Sequence, residues 1–111
     1  MLYKNRVELI GNLTADAELK DLPSGQKVLN FSVATNWKTG EKEGVDYHNV
    51  EMFGNVEGVA PHMTKGKQVM VEARLKTDKW EDEDGNPRSR IKIVAYNLDL
   101  GASPSGSGVN E

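Results

Sequence analysis

Three aromatic side chains fall where strand alternation gives them polar neighbours. Across residues 46–53, Val50 and Met52 share one side, while Tyr47, Asn49, Glu51 and Phe53 share the other. Across residues 68–80, Val69, Val71, Ala73 and Leu75 make an apolar side, and Trp80 has the opposite parity together with Glu72, Arg74 and Lys76. That parity holds unless a bulge near Thr77 shifts it. A fourth aromatic, Trp37, falls in the polar stretch 36–44, next to Lys38. Aromatic faces among cations suit unpaired nucleic acid. A base offers a flat π-face, and stacking on it is worth ~1–3 kcal/mol. Lysine and arginine follow the phosphates and make such binding salt-dependent. The expected stacking set is Trp37, Tyr47, Phe53 and Trp80. The expected phosphate contacts are Lys65, Lys67, Arg74, Lys76, Lys79, Arg88 and Arg90. A competing reading packs Tyr47 and Phe53 under a loop or at a subunit contact, and leaves single lysines such as Lys4, Lys20 and Lys27 as solvated charges.

The elements that must hold these groups are strands. Period-two alternation marks residues 7–13, 28–35, 46–53, 68–80 and 89–98. Leu22-Pro23-Ser24-Gly25 breaks the chain after the first. Lys38-Thr39-Gly40 opens a loop before the third, and Asp84-Gly85-Asn86-Pro87 reads as a hairpin tip. Between 55 and 64 the period changes, with Val56, Val59, Ala60 and Met63 at spacings of three and four. A short amphipathic helix is expected there, capped by Asn55, followed by Gly66 and shortened by Pro61. Three strands, a helix and a long hairpin is the order of an all-β, five-stranded Greek-key OB-fold barrel with one short helix between its third and fourth strands. Residues 1–100 are expected to form this domain, and residues 101–111, rich in Gly, Ser and Pro, a flexible tail.

Composition removes several classes of function. The chain has 111 residues, a size for one domain, with no cysteine, hence no disulfide, thiol nucleophile or cysteine-ligated zinc. No apolar run suits a signal peptide or a membrane span, so a cytoplasmic protein is expected. The net charge of −3 argues weakly against nucleic acid. The charges are segregated, however: acids gather in Glu81, Asp82, Glu83 and Asp84, and bases in the flanking strands. Asp82 to Gly85 lacks the ligand spacing of a calcium loop, and no metal or other cofactor is expected. His48 has core-facing parity and reads as structural or as a subunit contact. No nucleophile elbow or phosphate loop is present, and the chain is expected not to be an enzyme. A protein-docking OB module and an RNA-binding OB domain remain as alternatives.

The sequence also resembles the bacterial single-stranded DNA-binding proteins. The matching stretches are Asn5-Arg6-Val7-Glu8-Leu9-Ile10-Gly11-Asn12-Leu13, Asn30-Phe31-Ser32-Val33-Ala34-Thr35, Tyr47-His48-Asn49-Val50-Glu51-Met52-Phe53-Gly54, Lys65-Gly66 before Val69, Arg74-Leu75-Lys76-Thr77 leading to Trp80, and Asp84-Gly85 before Arg88. The resemblance implies wrapping of single-stranded DNA during replication, recombination and repair, in a bacterial nucleoid or in a phage- or plasmid-bearing host. It implies a homotetramer, and stacking by Trp37, Tyr47, Phe53 and Trp80. Tyr47 stands where the family often has tryptophan, and offers a smaller face. The hairpin from Lys79 to Arg90, which in the family grips DNA, is unusually acidic here. The family commonly ends in an acidic tip finishing Ile-Pro-Phe. This chain ends Gly108-Val109-Asn110-Glu111, so replication and repair proteins are expected as partners only with a longer acidic tail.

Overall fold

The structure is a computed structural model that describes residues 1–101. The tail expected for 101–111 therefore lies, apart from Gly101, outside the described residues. Six strands are present: β1 (Val7–Leu13), β2 (Glu18–Asp21), β3 (Lys27–Thr39), β4 (Lys42–Phe53), β5 (Gln68–Glu81) and β6 (Pro87–Leu100). Five of them close a barrel. β1 pairs with β5, β5 with β6, β6 with β4, β4 with β3, and β3 with β1. All pairings are antiparallel except β4–β6, which is parallel through Val50–Ile93, Glu51–Val94 and Met52–Ala95. The barrel is the expected OB type.

Closure depends on Gly11. β1 pairs with β5 up to Asn12, and Asn12 and Leu13 also pair with Ala34 and Val33 of β3. Where β1 passes between its two partners, a Cβ on Gly11 would lie 2.1 Å from the Ala34 carbonyl oxygen. Only a residue without a side chain lets the two backbones approach this closely.

The inward-facing residues are the apolar ones that the alternation picks out. Leu29, Phe31 and Val33 of β3, Val50 of β4, Val69, Val71 and Ala73 of β5, and Ala95 of β6 are buried in one cluster. Each valine or leucine so buried contributes roughly 1.5–3 kcal/mol. Leu75 departs from expectation. It keeps the inward parity but is 43% exposed, because the β1 pairing that covers β5 stops at Ala73.

Three further expectations are corrected. The helix of 55–64 is a single 3-10 turn, Ala60–His62, with no side-chain cap. Pro61 has no N–H to continue a helical ladder, and the bonds from His62 N–H to Val59 and Met63 N–H to Ala60 close three-residue turns instead. The apolar periodicity was still informative, since Val56 and Met63 are buried in the core. β2 is an unexpected strand, pairing with the start of β3 from Glu18–Asn30 to Asp21–Lys27. Finally, Lys38-Thr39-Gly40 does not open a loop. β3 and β4 continue as one ribbon to Thr39–Lys42, with only Gly40 and Glu41 at the turn.

Candidate nucleic-acid interface

β3–β4 and β5–β6 are longer than the barrel needs, and their outer halves carry most of the expected site. Residues paired across a ladder share a face, and alternate residues change face. On β4 the outward residues are Phe53, Glu51, Asn49 and Tyr47, opposite Val28, Asn30, Ser32 and Ala34 of β3. On β5 and β6 the matching outward pairs are Arg74–Val94, Lys76–Lys92, Asp78–Arg90 and Trp80–Arg88. The one register irregularity in this hairpin lies between Glu72 and Ala73, not near Thr77. From Ala73 to Glu81 the parity is unbroken, so Trp80 shares its face with Arg74 and Lys76.

Tyr47 is 69% exposed and Trp80 46%, both on this outer face. Phe53 is 39% exposed, but its direct cross-strand neighbour, Val28, is buried, so its ring also has a packing role. Trp37 corrects the reading of a loop residue. It lies in β3 opposite Gly44, with the parity of Val33 and Thr35, and therefore on the other face of the ribbon from Tyr47. It is 42% exposed. His48, on the same inward parity, is half-buried with its Nε2 2.9 Å from the Thr35 hydroxyl.

The expected cations divide into four groups. Arg90 stands 5.6 Å from the Trp80 ring centroid, a cation–π arrangement that covers part of the indole and leaves the rest to solvent. The same arginine lines a groove with Lys76, Asp78 and Lys79 on one side, and a second with Asn49, Glu51 and Lys92 on the other. It therefore links the Trp80 hairpin to the β4 face. Arg74 and Lys79 make no ion pair among the described residues. Lys79 has the parity of Leu75 and Thr77 yet reaches the groove edge beside Trp80. Lys65 and Lys67 are not brought to Trp80. They flank the turn at Gly66, whose N–H bonds the Leu13 carbonyl at the start of β5, while Trp80 is near its far end.

Some of the expected phosphate ligands are already paired with acids of the same chain. Arg88 Nε donates to Asp82 at 3.0 Å, and Lys76 lies 3.4 Å from Asp78. Lys92, which was not expected at the site, bridges Asp78 at 2.8 Å and Glu51 at 3.5 Å. These contacts hold the Asp78 carboxyl below the usual carboxylate range, chiefly through the Lys92 hydrogen bond, and raise the Lys92 ammonium through the same bond. Asp78 could have been found from the sequence, because it has the parity of Lys76 and Trp80. Asp82 organises the hairpin tip. Its carboxylate accepts from the Asp84 and Asn86 amides at 3.0 and 2.9 Å, and Gly85 takes a positive φ of 80°. With its carboxylate so engaged, Asp82 is a turn residue.

A closed OB-type barrel with aromatics and cations sharing an outward face defines a class, the nucleic-acid-binding OB proteins. Within that class the chain belongs to the Single-strand binding protein family, whose profile matches residues 4–100. It is 35% identical over 112 residues to a single-stranded DNA-binding protein of Wolinella succinogenes, spanning 92% of this chain and 69% of that protein. Its fold is similar to that of a Plasmodium falciparum SSB solved in complex with ssDNA. The TM-score is 0.78 at 26% identity, covering 92% of this chain and 98% of the other.

Proposed function

We propose that the chain binds single-stranded DNA without sequence preference and protects it during replication, recombination and repair. The observation that carries this reading is the shared outward face of Tyr47 and Trp80 with Arg74, Lys76, Arg88 and Arg90, two exposed aromatics beside four cations. Bases stack on Trp80, Tyr47 and the exposed part of Phe53, and Trp37 adds a platform on the reverse of the β3–β4 ribbon. Arg74, Lys76, Lys79, Arg88 and Arg90 follow the phosphates, with Lys65 and Lys67 holding a more distant stretch of strand. The role is binding rather than catalysis, and its setting is the bacterial cytoplasm. No described helix is long and apolar enough to cross a membrane.

The working unit in this reading is a homotetramer. Two features support self-association. Between Val7 and Gly11, β1 is paired on one edge only, which leaves an open strand edge. Ile10, Met70 and Tyr96 are exposed near it. Recruitment of replication and repair proteins belongs to a longer acidic tail, if the full protein has one.

Titration with oligothymidine tests the proposal. Tryptophan emission is expected to be strongly quenched at low salt, with less affinity for matched oligouridine. No quenching at low salt refutes DNA binding, and preference for RNA favours the RNA-binding alternative. Light scattering on the same samples reads the oligomer; a monomer at micromolar concentration refutes the tetramer.

A further inference from the structure

The face assigned to DNA is crossed by a strap of ion pairs from the chain itself. Asp78 lies between Lys76 and Trp80 on the outer side of β5, opposite Arg90. It pairs with Lys76 at 3.4 Å and with Lys92 at 2.8 Å, and Lys92 continues to Glu51 on β4 at 3.5 Å. The strap therefore spans β5, β6 and β4 between the Trp80 hairpin and the strand that carries Tyr47 and Phe53. All four groups keep some solvent contact, with side-chain exposures of 24–52%, so a phosphate can reach them.

We propose that Asp78 is an internal competitor for the DNA backbone, which limits the affinity of this face and keeps the bound strand releasable. The inference rests on the DNA-binding reading above. A carboxylate and a phosphate present the same anionic oxygens to an ammonium group. While Asp78 holds Lys76 and Lys92, neither ammonium is free to neutralise a phosphate. A phosphate that replaces Asp78 sheds its own condensed cations, but the displaced carboxylate attracts cations in turn, so the net release is smaller than at a free lysine. Two lysines of the face thus contribute less to affinity than their number suggests, and the strand exchanges contacts with an acid that is always present. An acid whose only role was to aim the lysines at DNA would behave in the opposite way, since its loss would weaken binding.

The test is Asp78→Asn in the full chain, with Asp99→Asn as a control. Asp99 lies at the opposite end of β6, paired with Met70, and its replacement changes net charge by the same amount. Oligothymidine affinity is measured across a salt series. Asp78→Asn is expected to tighten low-salt binding roughly three- to tenfold, and to steepen the salt slope by about 0.7–1.4, one to two further phosphates. Asp99→Asn is expected to leave both near the unaltered values. Lys76→Ala is then expected to cost more in the Asp78→Asn background than alone. Asp78→Ser, which frees the same cations with a different side chain, guards against misfolding of one variant. The proposal is overturned if both Asp78 variants bind equally or more weakly with unchanged melting temperatures, or if Asp99→Asn tightens binding as much. Failure of the unaltered chain to bind at low salt instead removes the DNA-binding reading, and this proposal with it.

Discussion

The indole of Trp37 covers Gly44, its partner across the β3–β4 ladder. A Cβ on Gly44 would meet Trp37 Cζ2 at 2.6 Å and Nε1 at 3.0 Å. The missing side chain is the seat of the ring, and an aromatic lying over a cross-strand glycine is a stabilising pair in antiparallel sheets. Gly44→Val should therefore drive the indole from its seat while β-branching keeps the strand. The expected result is a shifted Trp37 emission in a Trp80→Phe background, and oligothymidine affinity lowered by up to the ~1–3 kcal/mol of one stacking platform. Unchanged emission and affinity would show that Trp37 does not depend on this contact.

The outward aromatics separate binding from folding to different degrees. Tyr47→Ala and Trp80→Ala are expected to weaken binding by ~1–3 kcal/mol each, with little change in melting temperature. Phe53→Ala should lose affinity and also some stability, because its ring neighbours the buried Val28. Tyr47→Trp should tighten binding through its larger face. Thermal melts beside the titrations check this; unfolding of Trp80→Ala would mean that its face had been misassigned.

Gly11→Ala should destabilise the barrel without touching the DNA face. The added methyl group meets backbone, the Ala34 carbonyl at 2.1 Å, and so cannot be relieved by a side-chain rotation. Overpacking of this kind costs ~1–3 kcal/mol or more, roughly 4–8 °C of melting temperature per kcal/mol in a domain of this size. Calorimetry reads the change, and a melting temperature equal to that of the unaltered chain would refute the closure argument.

The hairpin tip should carry an acid-dependent stability. The Asp82 carboxyl is held below its ordinary 3.8, first by the Asn86 amide and further by Arg88 and the Asp84 amide. A depressed native value means the stabilisation is complete above the unfolded carboxylate range, near 3.9, and fades as pH falls through the lower native value. The Asn86 amide shift, which reports the hydrogen bond to the Asp82 carboxylate, should move with a midpoint below that of an ordinary aspartate. A midpoint at or above 3.8 would contradict the hydrogen-bonded tip.

The barrel and the long β5–β6 hairpin were readable in the sequence, and the outer β3–β4 ribbon and β2 were not. Strands with one buried side betray themselves by alternation, as Leu29, Phe31 and Val33 do. Beyond Thr35 the β3–β4 ribbon has no core to face, so Asn36, Trp37, Lys38 and Lys42 carry no apolar period and read as loop. β2, Glu-Leu-Lys-Asp, is exposed throughout for the same reason. Residues 55–64 show the converse, since Val56 and Met63 are buried at helical spacing while Pro61 prevents the helix. At the site, parity placed Tyr47, Phe53 and Trp80 on the outward face, but no pattern in one strand could reveal that Lys92 spans to both Asp78 and Glu51 on neighbouring strands.

The β5–β6 hairpin is half stave and half cantilever. From Gln68 to Ala73 it is clamped by β1 and by the core, at Leu75 its partner Ile93 still pairs with Val50 of β4, and from Lys76 to Glu81 its strands pair only with each other, over about 17 Å. Asn5 marks the fulcrum: its side-chain amide donates to the Leu75 carbonyl at 2.7 Å and accepts from the Leu75 N–H at 2.8 Å, where β1 has no backbone left to offer. Bending of the arm therefore breaks no strand pairing of the barrel, and its tie to β4 is the part-exposed Lys92–Glu51 ion pair; amide exchange should quicken stepwise beyond Leu75 while the clamped half stays protected. Trp80 and Arg90 ride on the compliant part, and Tyr47 on the arm of the other ribbon. If the proposed face binds DNA, this compliance lets it follow the contour of a strand while the fold remains unstrained.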